Sequence, residues 1–302
     1  MSKARWVLVG IVVLVGMVVG YNILNKGEKQ MNNQAQTEYF TRPEGAIAYD
    51  DNHTEGQLVI MLPGMGALRS EYRFLAPGLA DAGYRVVTAD LRGHGESSVG
   101  WDEYTVPASG QDILDLIAYL DAGPAHVIGT SFSPGAAVWA AAEQPDAIRS
   151  LTLIAPFVRD PEPSFMATLT EKVLTRGPWK VPLWGMFYKT LYPTTQPDDF
   201  DAYINDLKIS LNEPGRYEAL KGLMSAPKTE SEQRLGQITT PTLVVMGTKD
   251  PDWSDPKAEA SYIEQAIPNA QLLFIEDAGH YPQAEMPEQT NPAILEFLNG
   301  VN

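Results

Sequence analysis

Hydrophobic and polar positions divide the chain into an apolar leader, a short polar stretch and a long alternation of strand-like and helix-like segments. Trp6 to Leu24 reads WVLVGIVVLVGMVVGYNIL, without a charged residue, behind Lys3 and Arg5. As a helix it reaches about 28 Å, close to the hydrocarbon thickness of a bilayer. This predicts a single transmembrane anchor over residues 1–24. A cleavable signal peptide has a shorter apolar core, of about 7–15 residues, and a small-x-small site. No such site follows Leu24, so secretion after cleavage is the secondary reading. Lys3 and Arg5 favour a cytoplasmic amino terminus, against the weaker pull of Lys26 and Lys29, which places the rest of the chain outside the cytoplasm. Residues 25–38 are polar, rich in Asn and Gln and without periodicity, and predict a flexible tether.

From residue 39 the pattern changes. Two short strand-like runs, YFTRP and AIAYD, precede the continuous apolar run Gln57 to Leu62, which reads as a buried strand. Pro63-Gly64-Met65-Gly66 follows, and then helical spacing from Ser70 to Ala82, with Tyr72, Leu75, Leu79 and Ala80 on one face. Further strands are predicted at Tyr84 to Ala89, His126 to Ile128, Leu151 to Ala155, Thr242 to Met246 and Gln271 to Ile275. Helices are predicted between or after them at Ala108 to Leu120, Gly135 to Glu143, Pro256 to Ala266 and Gln289 to Leu298. In the first of these Ile113, Leu116, Ile117 and Leu120 share a face, and Asp112, Asp115 and Asp121 are expected mostly toward water. Such alternation predicts an α/β fold, with a mostly parallel sheet and helices on both faces.

The alternation breaks at Pro156 and resumes near Gln237. The interval has no clear strand and is rich in Pro and large apolar residues, with helical stretches at Met166 to Leu174 and Leu183 to Leu191. It predicts a helical cap over about 157–237, inserted into the folded domain 39–302. Its aromatic residues can form the cap's own core, or line an apolar pocket.

Composition narrows the classes of function. Net charge is −16, with no Lys/Arg cluster, which excludes a nucleic-acid partner. There is no cysteine, hence no disulfide, thiolate nucleophile or zinc-cysteine site. His53, His94, His126 and His280 are scattered, without an H-x-x-x-H or H-E-x-x-H pair, and no nucleotide fingerprint occurs. Neither a metal nor another cofactor is expected.

Candidate chemistry centres on His126-Val127-Ile128-Gly129-Thr130-Ser131-Phe132-Ser133-Pro134-Gly135. It reads as strand, sharp turn and helix start, with Pro near the first helical position, and it holds Ser131 at the tip of a strand. Alone, a serine in such a turn can be structural. Asp250 and His280, however, each follow a later predicted strand, so the order is nucleophile, acid, base at one sheet edge. The Gly-rich turn after Leu62 also leaves backbone N–H groups of the kind that stabilise a tetrahedral oxyanion. His94, in the loop Asp90 to Ser97 ahead of the serine, reads as structural.

Residues 39–299 resemble the α/β-hydrolase superfamily, in which the order Ser…Asp…His is characteristic. The resemblance rests on Gly129-Thr130-Ser131-Phe132-Ser133, Pro63-Gly64-Met65, the Asp90 to Ser97 segment, and Ala278-Gly279-His280 with Pro282, Glu285 and Pro287. Pro63 stands where many members have His, and Ser133 where the pattern has Gly. The resemblance implies an α/β-hydrolase fold with Ser131, Asp250 and His280 as the triad and the backbone N–H groups of Met65 and Phe132 as the oxyanion hole. Asp250 is preferred to its rival Asp252 by its spacing from Gly247. The implied activity is hydrolysis of a carboxylic ester, with the cap and the anchor pointing to an apolar or lipid-like small molecule. Acyl transfer, thioester or peptide cleavage and cofactor-free haloperoxidation use the same triad. A non-catalytic envelope binding protein is the alternative outside enzymology.

Overall fold

The computed structural model describes residues 36–160 and 177–301. The strands are β1 (Glu38–Arg42), β2 (Gly45–Asp51), β3 (Leu58–Leu62), β4 (Arg85–Ala89), β5 (Ala125–Thr130), β6 (Ile148–Ile154), β7 (Thr242–Gly247) and β8 (Gln271–Ile275). They form one eight-stranded sheet in the order β1-β2-β4-β3-β5-β6-β7-β8. β1 and β2 make an antiparallel hairpin laid antiparallel on β4, and every pairing from β4 to β8 is parallel. Glu38, expected to end the tether, opens β1. Every residue of β3, β5 and β7 is buried, as continuous apolar runs in a sheet covered on both faces require.

The helices are α1 (Ala76–Asp81), α2 (Val106–Leu120), α3 (Ser133–Glu143), α4 (Lys180–Thr190), α5 (Phe200–Asn212), α6 (Arg216–Ser225), α7 (Thr229–Glu232), α8 (Pro256–Ala266), α9 (Pro282–Glu285) and α10 (Pro287–Gly300). Two local expectations are corrected. The helix expected over Ser70 to Ala82 is a 3-10 turn at Arg69–Phe74 followed by α1. Pro77 is the cause: it has no N–H to donate back to the preceding turn, and sits in the first turn of α1, where none is needed. Asp112, expected toward water, is buried under the Asp90 to Ser97 loop. It accepts two hydrogen bonds from Arg92, at 2.7 and 2.8 Å, and another from Arg42. A buried carboxylate is tolerated there because it is paired.

Between β6 and β7 the described residues contain helices and no strand. Val181, Trp184, Tyr188, Phe200, Tyr203 and Leu207 head a second apolar cluster that also takes in Ala67 and Tyr281 from loops beside the sheet and Ala284 from α9. Most of the aromatic residues of this interval therefore build a core of their own, and that core reaches the loops at the sheet edge. The helix expected over Met166 to Leu174, the apolar segment Trp6 to Leu24 and nearly all of the tether lie outside the described residues. Among the described residues no helix is long and apolar enough to cross a membrane.

Candidate active site

After β3 the chain moves to β4 on one side and then to β5 on the other, so β3 and β5 lie side by side at the switch of strand order. Open α/β sheets form their ligand crevice at the carboxyl ends of such strands. Pro63 to Met65 leave β3 there, and Ser131 leaves β5. Ser131 has φ +61, in the left-handed region that an L residue occupies at a cost of about 1–2 kcal/mol. The strain is held by the hydrogen bonds Ser131 N–H to Ile154 O and Phe157 N–H to Ser131 O, both 2.9 Å. Gly129 permits the tight approach of α3: a Cβ there would stand 2.8 Å from the Pro134 nitrogen.

Asp250 follows β7 and His280 follows β8. His280 Nδ1 is 2.7 Å from Asp250 Oδ2, and the Asp252 N–H binds the other Asp250 oxygen at 3.0 Å. Asp252 itself stands 3.6 Å from His280 Nδ1 and is partly exposed. Asp250 is thus the carboxylate in contact with the imidazole, and Asp252 is a second negative group just behind it. Burial disfavours a charge on His280, but the carboxylates of Asp250, Asp252 and Glu71 outweigh it and raise its pKa to about 9. Burial and the Asp250 charge raise Asp252 to about 6, against the attraction of His280. The backbone of the histidine loop is tied to the start of the chain after α4: His280 N–H binds Leu191 O at 2.9 Å, and Glu285 accepts from the N–H groups of Gly279, Thr194 and Thr195.

His280 Nε2 is buried and has no hydrogen-bond partner among the described residues. Its ring lies edge-on to Phe157, whose N–H binds Ser131, and Tyr281, the next residue, meets Ser131 at Gly64. A Cβ on Gly64 would stand 3.0 Å from both Ser131 Cβ and the Tyr281 hydroxyl. Ser131, the Tyr281 hydroxyl and the turn after β3 therefore meet around Gly64, with His280 the residue before Tyr281. Phe132 is fully buried at the start of α3, where the first backbone N–H groups of a helix lack intrahelical acceptors, and Met65 is half-buried beside Gly64. Such a set can deprotonate a hydroxyl, stabilise the imidazolium that results and offer N–H donors to a developing oxyanion.

His94 lies inside its own loop, with Nδ1 3.0 Å from the Arg92 carbonyl, and burial lowers its pKa to about 4. His126 sits near the opposite end of β5, bonded to Ser150 and Gln57. Asp250, Asp252 and His280 bring potential ligand atoms within 4.8 Å of one another, but Nδ1 of the histidine is already committed to Asp250. Sequence reading missed Glu71, Gln283 and Thr130, which form a fully buried polar cluster beside the site. In the sequence Glu71 is one polar position in an apparently amphipathic helix and Gln283 one polar loop residue, so periodicity offered no signal.

The chain belongs to the alpha/beta hydrolase fold family, whose model matches residues 57–287. It is 30% identical over 266 residues to a protein of Mycobacterium tuberculosis that carries the name non-heme bromoperoxidase BpoC, covering 84% of this chain and 98% of that one. It is 27% identical over 248 residues to a pimeloyl-[acyl-carrier protein] methyl ester esterase of Neisseria meningitidis, covering 80% of this chain and 77% of the relative. Among solved structures, a thermophilic esterase from Thermogutta terrifontis superposes with a TM-score of 0.72 at 26% identity, over 88% of this chain and 99% of the esterase. The chain is an α/β-hydrolase enzyme, related to esterases.

Proposed function

We propose that the protein hydrolyses carboxylic esters through an acyl-enzyme on Ser131. The observation that carries this reading is the state of His280: Nδ1 bound to Asp250 at 2.7 Å, Nε2 buried and unpartnered among the described residues, and the ring beside the strained serine turn. His280 Nε2 takes the Ser131 proton as Oγ attacks the acyl carbon, and Asp250 orients and stabilises the imidazolium. The N–H groups of Met65 and Phe132 receive the oxyanion. The imidazolium then protonates the leaving alkoxide, and a water, deprotonated by the same histidine, releases the acid. The esterases among the relatives support this reaction class.

The full-length protein is to be treated with a fluorophosphonate probe and the adduct mapped by mass spectrometry, beside Ser131→Ala. Labelling confined to Ser131, with turnover of p-nitrophenyl esters, is the expected result; a folded protein that neither labels nor turns over sinks the reading. For the substrate we propose an apolar or lipid-like acyl group, on the strength of Phe157, whose ring lies 5.8 Å from that of His280, and of the apolar cluster between β6 and β7 that reaches the loops at the sheet edge. Turnover of acetate alone, falling with chain length, would refute that. A second reading has a specific support, the relative that carries a bromoperoxidase name. In it peroxide replaces water at the acyl-enzyme and leaves as a peracid, so bromination that requires a carboxylic acid would favour it.

We further propose that residues 1–24 anchor the enzyme in the membrane, with the catalytic domain outside the cytoplasm, because Trp6 to Leu24 carries no charge and follows two basic residues. Release of the protein by alkaline carbonate, or protection of its catalytic domain from protease in intact spheroplasts, would refute this.

A further inference from the structure

A chain of polar side chains runs behind the serine turn, closed off from water. Tyr72, Thr130 and Gln283 are each fully buried. The Tyr72 hydroxyl lies 2.8 Å from the Leu62 carbonyl oxygen and 2.8 Å from Thr130 Oγ1. Gln283 Nε2 donates to Thr130 Oγ1 at 3.2 Å and also to Glu71 Oε1. The ends of the chain fix its direction, because a carbonyl only accepts, an amide nitrogen only donates, and a hydroxyl has a single proton. Tyr72 meets two carbonyls, Leu62 at 2.8 Å and Ile128 at 3.5 Å, so its proton points to the nearer one. It must then accept from Thr130, and Thr130 accepts from Gln283. The order of donation is Gln283, Thr130, Tyr72, Leu62, and each hydroxyl gives one bond and takes one.

The residues joined are the neighbours of those that the chemistry needs. Leu62 ends β3, directly before Pro63-Gly64-Met65, and Thr130 ends β5, directly before Ser131. Gln283 lies in α9, on the segment that follows His280. Backbone pairing does not fix the spacing of these three segments. The ladder between β3 and β5 stops at Leu62 and Gly129, and Pro63 has no N–H with which to extend it. The histidine loop leaves β8, at the far edge of the sheet. Side chains must therefore set the spacing beyond the strand ends, and buried hydrogen bonds that are all satisfied hold a single arrangement.

We propose that Thr130 is a positioning residue: its hydroxyl, bonded at once to Gln283 and Tyr72, fixes the nucleophile turn against the histidine loop and the turn after β3. This rests on the ester-hydrolase reading of the same site. The hydroxyl touches no reacting atom. It acts through the placement of Ser131, His280 and the Gly64-Met65 segment, and a displacement of about 1 Å among such groups can cost about a hundredfold in rate.

The test uses the full chain labelled with 15N-glutamine, with the Gln283 side-chain amide assigned by its loss in Gln283→Met. In the wild type the two protons of this amide are expected to exchange slowly with solvent. In Thr130→Val, where a methyl replaces the hydroxyl, one of them is expected to shift and to exchange faster. In ester turnover Thr130→Val is expected to lose about tenfold or more in kcat, with KM changed by less than about threefold, and Thr130→Ser to regain most of the loss. Tyr72→Phe breaks the chain one link further on and is expected to show the same split, so it decides if Thr130→Val does not fold. A lower melting temperature without the split would mark a merely structural role and overturn the proposal. A Thr130→Val kcat within about twofold of wild type overturns it as well, and so does a Gln283 amide indifferent to that substitution. A wild type that neither labels nor hydrolyses would defeat the ester-hydrolase reading and the positioning role with it, while the Gln283 amide would still report the chain of bonds without turnover.

Discussion

Ser133 Oγ donates a 2.5 Å hydrogen bond to the carbonyl of Pro63. These are the two positions at which the chain departs from the pattern it resembles, and the structure puts them in contact. Ser133 is fully buried, so the hydroxyl ties the first turn of α3 to the segment that leaves β3. Ser133→Ala is expected to leave the carbonyl unpaired, at about 1–3 kcal/mol of stability by urea denaturation. Release of the Pro63 segment should also lower kcat more than it raises KM. An unchanged urea midpoint would show that the contact contributes nothing.

Asp250 and Asp252 are separable by substitution. Asp250→Asn should lower kcat by about 10⁴-fold, because the amide cannot hold the imidazole in the right tautomer or stabilise its charge. Asp252→Asn removes only the outer carboxylate, so kcat at its pH plateau is retained to a large extent. Asp252 helps to raise His280, and its loss should move the acid limb of kcat/KM to lower pH. Equal losses in the two variants would contradict this division of roles.

The pH dependence of wild-type activity follows from the same pKa. The base must be neutral, and in the free protein its pKa lies above the ordinary 6.5, toward about 9. Ester turnover is therefore expected to keep rising with pH above 7, and a kcat/KM already flat at pH 6 would refute it. For stability, a raised histidine pKa favours the folded state fully below 6.5, and this contribution is lost as pH rises through about 9.

Glu71 acts on stability in the same direction and over a lower range. Its folded pKa of about 8 exceeds the ordinary 4.5, so the fold binds the proton more tightly than the unfolded chain. The resulting stability is present below 4.5 and lost as pH rises through about 8. Glu71→Gln cannot ionise. Between pH 5 and 8 its melting temperature should fall less steeply than that of the wild type, and parallel curves would show that Glu71 does not titrate in this range.

Gly129→Ala probes the close packing of strand on helix. The new Cβ would meet the Pro134 nitrogen and Ser133 carbonyl carbon at 2.8 Å, and backbone cannot rotate away as a side chain can. A destabilisation of about 1–3 kcal/mol is expected, with weaker fluorophosphonate labelling because the turn that carries Ser131 must shift. Full stability in this variant would mean that α3 can slide at no cost.

The strands were readable wherever burial on both faces made a run continuously apolar, as in Leu58–Leu62 and Thr242–Gly247. Helix Ser70 to Ala82 misled because its spacing satisfied a helical face while Pro77 interrupted the hydrogen-bond ladder. Asp112 misled because periodicity assigns a face to a residue without knowing that Arg92, from a loop, will cover it.

By itself, the sequence determined the α/β class, the family and the order of Ser131, Asp250 and His280, because these depend on local periodicity, turn chemistry and motif spacing. Spacing from Gly247 already favoured Asp250 over Asp252; tertiary structure set the distances, 2.7 Å and 3.6 Å from His280 Nδ1, because the two carboxylates are two residues apart and only the path of the loop fixes them. It also decided that Ser133 binds Pro63 and that Gln283 binds both Glu71 and Thr130. Those contacts join residues 70, 212 and 153 positions apart, and they form only when separate strand ends are brought to one edge of the sheet.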